Sequence, residues 1–262
     1  EKINIIDDSD SIKKNKIKCH NCGGELKDVG MVNMMFPVSV GPYAGGTQAY
    51  LRPETAQGVY VNFKREYLAN RERLPLGLAI VGRAYRNEIS PRQGLFRVRE
   101  FTQAELQVLF NPHEINKHPK FDEVKDYEIN VVFVKERDKK LKSHKASEVV
   151  KKGFPQYYVY YMAKIQQFYE SLGVPKEKFR FFEKSEEERA HYNKYQFDVE
   201  IHHDSLEGFK EVAGYHYRTD YDLTGHQKIS GQSMEIKIAY ANAYAAVLVA
   251  AGLDAYSGSR MD

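Results

Sequence analysis

The chain has 262 residues, with 39 Lys+Arg against 36 Asp+Glu, a formal net charge of +3, and 42% apolar residues. That length can bury one large core or two small ones. A mean hydropathy of −0.60 and the lack of an apolar run of about 18 residues leave no candidate membrane-spanning helix. A balance of +3 is too small to signal nucleic-acid binding by itself, and the apolar content speaks against global disorder.

The opening run EKINIIDDSDSIKKNK is mixed in charge and polar, with no secretory pattern, so a cytoplasmic protein is expected. Cys19 and Cys22 follow in the run Cys-His-Asn-Cys-Gly-Gly. This spacing presents two thiolates on a tight turn, as half of a zinc site does; the other reading is a turn with two reduced thiols. Gly41-Pro42-Tyr43-Ala44-Gly45-Gly46 reads as a loop. Residues 54–71 place Val59, Phe63 and Tyr67 at helical spacing behind Pro53, which predicts an amphipathic helix. Residues 78–88 and 95–110 read as two strands.

The stretch 134–152 holds eight Lys/Arg against three Asp/Glu. It reads either as a contact for nucleic-acid phosphates or as a solvated lysine-rich helix. Residues 156–172 predict a second amphipathic helix, stopped by Gly173 and Pro175. Phe179–Phe182 reads as a short strand, 195–217 as further antiparallel strands, and 238–252 as a buried small-residue helix. The organisation expected is an N-terminal segment 1–30, a core 31–134, a basic and helical insertion 135–195, and the rest of the core at 196–262.

Alternation along the second strand is the most informative pattern. Phe96, Val98, Glu100, Thr102, Ala104, Leu106, Val108 and Phe110 share one parity and are mostly apolar. Leu95, Arg97, Arg99, Phe101, Gln103, Glu105, Gln107 and Leu109 share the other. A hairpin through Pro91 and Gly94 would put Arg86, Glu88, Arg97, Phe101 and Glu105 on one surface. Guanidinium groups match phosphate oxygens, a Phe ring stacks on a purine, and carboxylates accept from amines. A nucleotide site and a charged, solvated sheet face both fit this pattern. No Gly-rich phosphate loop is present, so phosphate binding would rest on side chains.

Tyr85-Arg86-Asn87-Glu88, then Arg97-x-x-x-Phe101-x-x-x-Glu105, resembles the second signature motif of class II aminoacyl-tRNA synthetases. Leu51-Arg52-Pro53-Glu54-Thr55-Ala56-Gln57-Gly58, Phe96-Arg97-Val98-Arg99-Glu100-Phe101-Thr102-Gln103-Ala104-Glu105 and Arg218-Thr219-Asp220-Tyr221-Asp222-Leu223 with His226 are similar to the glycyl-tRNA synthetases of the dimeric type. The resemblance runs from about Cys19 to about Glu235. It implies an α+β fold: a class II antiparallel sheet flanked by helices, with an insertion between the second and third motifs.

It also implies a ligase that activates glycine with ATP and Mg²⁺ and passes it to tRNA(Gly), with diadenosine tetraphosphate synthesis as a side reaction, acting as a homodimer away from membranes. Carried over by position, Arg86, Glu88 and Arg97 are the catalytic set. ATP is held by Arg86, Asn87, Glu88, Phe96, Arg97, Val98, Arg99, Glu100, Phe101, Glu211 and Val212. Glycine is held by Glu54, Phe101, Thr102, Gln103, Ala104 and Glu105. Lys139, Lys140 and Lys142 are the tRNA candidates, and Cys19 with Cys22 the metal candidates.

The family's first motif would precede Cys19, and its third would follow Glu235. Ala251-Gly252-Leu253-Asp254-Ala255 stands where a Gly-x-Asp-Arg run is expected, so the chain reads as a core taken from a longer enzyme. Two other functions stay open at this point: a synthetase-like nucleic-acid-binding subunit without catalysis, and a class II synthetase for another small amino acid.

Overall fold

A computed structural model describes residues 18–19, 22–25, 33–42, 45–89, 91, 94–138 and 141–224. The helix expected at 238–252, His226, Lys139 and Lys140 lie outside the described residues. The expected α+β character is present: two short antiparallel pairs and one larger sheet carry the strands, with helices packed against them.

Strands β1 (Pro37–Val40) and β2 (Thr47–Tyr50) form the first pair. Helix α1 (Ala56–Ala69) then buries Ala56, Val59, Tyr60, Phe63 and Tyr67, close to the predicted stripe. It covers one face of a hairpin made of β3 (Leu76–Tyr85) and β4 (Glu100–Leu109). A small core of Ala56, Tyr60, Phe63, Tyr67, Leu76 and Leu223 joins them.

The hairpin differs from expectation in its connection. Its strands stop at Tyr85 and start at Glu100, so Arg86–Arg99 form a long connection containing a 3-10 turn at Gly94–Phe96. Pro91 cannot donate a ladder bond, and Gly94 takes a left-handed φ of 56°. The two faces of the hairpin are covered unequally. The polar row Gln103, Glu105 and Gln107 is the half-buried one, turned toward α1. The apolar row is open instead, with Val81 at 72% and Leu106 at 58% exposure.

Residues 128–217 build the larger sheet, in the order β6-β5-β7-β8-β9. Its strands are β5 (Glu128–Val132), β6 (Lys142–Lys145), β7 (Phe179–Glu183), β8 (Tyr195–His203) and β9 (Gly208–Tyr217). The sheet is mixed rather than wholly antiparallel, because β5 and β7 run parallel. Helices α2 (Ala146–Lys151) and α3 (Gln156–Ser171) make that crossover, as a parallel pair requires. One sheet therefore takes strands from both sides of the boundaries expected at 134 and 195.

α3 ends where predicted. Gly173 has φ +88°, its N–H donates to the Glu170 carbonyl, and that of Val174 donates to Tyr169, the paired bonds of a Schellman end. Phe179, Phe181, Phe197, Val199, Ile129, Val131, Val159 and Met162 fill the core between sheet and helices. The basic stretch is not a solvated helix. It supplies the edge strand β6 and the short helix α2, and buries His144, Ala146 and Val149.

Candidate active site

The segment before α1 lies across the end of β3. The Tyr85 N–H donates to the Arg52 carbonyl, and Arg52 Nε donates to the Arg83 carbonyl at 2.7 Å. Gly82 lies under this guanidinium, where a Cβ would come within 2.5 Å of Arg52 Nη2. A bare backbone lets Arg52 and Thr55 pack that close.

Where β3 ends, the chain turns Arg86 back over the hairpin. Its Nε donates to the Pro53 carbonyl at 3.1 Å, and its guanidinium lies 5.2 Å from the Phe101 ring centroid. A cation held over an aromatic face suits a purine nucleotide. Arg99 donates through Nε to the Glu88 carbonyl, and Arg83 pairs with Glu100 at 3.7 Å across an exposed surface. Asn87 is pinned by a bond from its N–H to the Met34 carbonyl. Arg97 is exposed. The 3-10 turn packs Phe96 edge-on to His203, with centroids 4.7 Å apart, so the connection rests on the end of β8.

The larger sheet supplies the opposite wall. Glu211 sits directly across from Glu200, and the ladder slips by one residue between that pair and Val199↔Ala213. The extra residue is Val212. This bulge lets Glu211 leave the core face while Val212 and Ala213 pack onto the core. Partial loss of water around its carboxylate, then the negative field of Asp198, raises the Glu211 pKa; Glu200 adds to this, while Lys184 and Arg86 oppose it. Its side chain is nonetheless open to solvent, so the crowding is one-sided. The hairpin connection and the sheet meet where Phe96 packs on His203. Arg180 holds Glu200 at 2.6 Å, and Lys184 holds the buried Asp198 at 2.5 Å.

The expected amine-binding row forms a connected network. Thr55, 1% exposed, donates its N–H to Gln103 Oε1 at 2.9 Å and its hydroxyl toward Glu105 Oε1 at 3.0 Å. Gln107 Nε2 donates to Glu105 Oε2 at 3.0 Å, and the Tyr60 hydroxyl donates to Gln107 Oε1 at 2.8 Å. Glu54 adjoins Thr55 and accepts from Gln57. Strand alternation divides the expected glycine set: Phe101, Gln103 and Glu105 turn toward α1, whereas the side chains of Thr102 and Ala104 are exposed on the other face.

Three comparisons of sequence bear on this arrangement. Residues 43–133 match the tRNA synthetase class II core domain (G, H, P, S and T). The chain is 47% identical over 233 residues to a glycine--tRNA ligase of Pyrococcus furiosus, covering 87% of this chain and 40% of that protein. It is 41% identical over 235 residues to a glycine--tRNA ligase of Methanocaldococcus jannaschii, covering 86% of this chain and 40% of that one. The resemblance to the class II tRNA synthetases holds. The chain spans about 40% of the length of these curated relatives. The matched region contains the whole hairpin, Glu54 and Thr55, whereas Glu211 lies beyond it.

Sequence reasoning missed Thr55, Tyr60 and Gln107 as parts of this network. Gln107 shares the parity of Glu105, which was a usable signal; Tyr60 looked like an ordinary apolar helix position. At the other end of the chain, the Gly23 N–H donates to the Cys19 carbonyl with φ +69°, a tight knuckle-like turn. Among the described residues, no three His, Cys, Asp or Glu side chains converge as a metal site, so the four ligands of structural zinc are not supplied there. Of the three tRNA candidates, Lys142 is described, and it stands exposed at the start of β6.

Proposed function

We propose that the chain carries the adenylate-forming core of a glycine–tRNA ligase. The observation that carries the reading is Arg86 held over Phe101, with Glu105 on the same strand at the end of a donor network. Similarity to glycine–tRNA ligases of archaea supports the choice of amino acid. In this reading ATP lies with adenine against Phe101 and its α-phosphate at Arg86. Glycine lies with its ammonium at Glu105 and Glu54. The glycine carboxylate attacks the α-phosphorus and displaces pyrophosphate; a hydroxyl at the tRNA(Gly) 3′ end then attacks the adenylate's carbonyl carbon, taking the glycyl group and releasing AMP. No protein nucleophile is needed; the side chains position the reactants and neutralise charge.

Mg²⁺ arrives with ATP as part of the substrate. Glu211 is an exposed carboxylate and a hard oxygen donor, and one carboxylate completed by phosphates and water suits this ion. The reading further includes a homodimer in the cytoplasm and contact between the basic stretch at Lys139, Lys140 and Lys142 and tRNA phosphates. Among the described residues no helix is long and apolar enough to cross a membrane.

Hydroxylamine trapping tests the reading. Incubation with ATP, Mg²⁺, glycine and hydroxylamine should yield glycine hydroxamate and AMP, with no hydroxamate from alanine, serine or proline. Hydroxamate from another amino acid in place of glycine would refute the assigned substrate.

A further inference from the structure

Behind Glu105 lie four side chains that the reaction above does not use. Tyr60 comes from α1, Gln107 from β4, and Arg218 and Asp222 from the end of β9 and the short helix α4 (Tyr221–Thr224). Three separate stretches of chain therefore meet at one point. Tyr60 is 6% and Asp222 3% exposed.

The proton inventory decides how they act. The Tyr60 hydroxyl has one proton and two acceptors beside it, Gln107 Oε1 at 2.8 Å and the Asp222 carboxylate. Arg218 already donates to both Asp222 oxygens, from Nε and Nη2, each at 2.6 Å. The Arg218 guanidinium is itself braced 4.3 Å from the Tyr192 ring. In the structure the Tyr60 hydroxyl donates to Gln107 Oε1, while the Arg218 guanidinium holds Asp222. A carboxamide whose oxygen accepts at one end must present its NH₂ at the other, and Gln107 Nε2 reaches Glu105 Oε2 at 3.0 Å.

We propose that Tyr60, acting through Gln107, orients the Glu105 carboxylate toward the substrate ammonium. The proposal rests on the reading of Glu105 as the amine acceptor, and makes Tyr60 and Gln107 positioning residues. Thr55 holds Oε1 and Gln107 holds Oε2, so rotation of the carboxylate is blocked from both sides.

The test uses the whole chain and two variants, Tyr60→Phe and Gln107→Met, each close to the shape of the original. The first readout is the Gln107 side-chain amide in a ¹⁵N correlation spectrum, assigned by its disappearance in Gln107→Met. Its protons should shift and lose exchange protection in Tyr60→Phe. The second readout is calorimetric affinity for glycine, alanine, serine and proline in the presence of ATP. Both variants should bind the cognate amino acid about tenfold more weakly, the loss expected for one hydrogen bond to a charged group, with ATP affinity unchanged. An unmoved Gln107 amide in Tyr60→Phe overturns the relay. So does a moved amide with unchanged amino-acid affinity, or weakened ATP and amino-acid binding together, which marks a structural role only. A wild-type chain that binds alanine, serine or proline instead of glycine refutes the glycine reading but leaves the relay to be scored on that amino acid. A wild-type chain that binds none of them overturns the proposal.

Discussion

Substitution of Lys184 by Met should destabilise the fold through one buried carboxylate. Asp198 is directly opposite Gly214 on β9, over which the His216 ring lies. Its side chain is 5% exposed, that of Lys184 is 26% exposed, and the two meet at 2.5 Å. Burial pulls the Lys184 pKa down, but its hydrogen bond to Asp198 and their mutual attraction win and leave it raised. A raised lysine pKa means stabilisation that is complete below the ordinary lysine value and is lost only as pH rises through the higher folded one. Removing one partner of a fully buried pair costs about 3–5 kcal/mol, and the open quarter of Lys184 lowers this to about 2–3 kcal/mol.

Urea unfolding at pH 7 measures this cost directly. Lys184→Met combined with Asp198→Asn should recover most of it, because no charge is then left stranded. The single variant should also push the Glu211 pKa further up, since Lys184 is one of two cations holding it down. A loss below about 1 kcal/mol, the scale of an exposed pair, would refute the reasoning. So would a double variant no more stable than the single one.

Other outcomes follow from the same structure. His144 is buried, and burial first, then the Lys152 charge, lowers its pKa, while Glu136 and Glu148 at 3.7 and 3.8 Å oppose. The unfolded chain then takes up a proton more readily, so stability should fall as pH drops through about 6.5; His144→Leu should flatten that slope in thermal melts at pH 7.5 and 5.5, and an unchanged slope would contradict it. Lys142→Ala, alone and with Lys139→Ala and Lys140→Ala, should raise KM for tRNA and leave amino-acid activation unchanged. Unchanged tRNA kinetics would return these lysines to an ordinary solvated edge. Gly82→Ala should displace the Arg52 guanidinium from the Arg83 carbonyl and weaken ATP binding; unaltered ATP affinity would show that Arg52 does not shape the cleft.

Much of this architecture is legible in the sequence because its signals are local. α1 and α3 follow from apolar spacing, and the end of α3 from Gly173 and Pro175. The pairing of two strands around Pro91 and Gly94 follows from turn chemistry, and their alternation from the pleat. Which face is covered does not follow, because that depends on α1 returning over Gln103, Glu105 and Gln107. The basic stretch misleads for a similar reason. Its lysines dominate the composition, while Ala146 and Val149 between them do the packing.

The site divides in the same way. Arg86, Phe101, Glu105 and Glu211 come from the resemblance, and the structure puts Arg86 over Phe101. The bulge at Val212 and the grip of Thr55 on Glu105 depend on contacts far apart in sequence, which no local pattern announces.

ATP–pyrophosphate exchange tests the central claim most directly, run with glycine, alanine, serine and proline on the chain and on its Arg86→Ala variant. Exchange should depend on glycine alone and vanish in Arg86→Ala, with the melting temperature of the variant unchanged. Absence of glycine-dependent exchange, or near-normal exchange without the Arg86 guanidinium, would contradict the account.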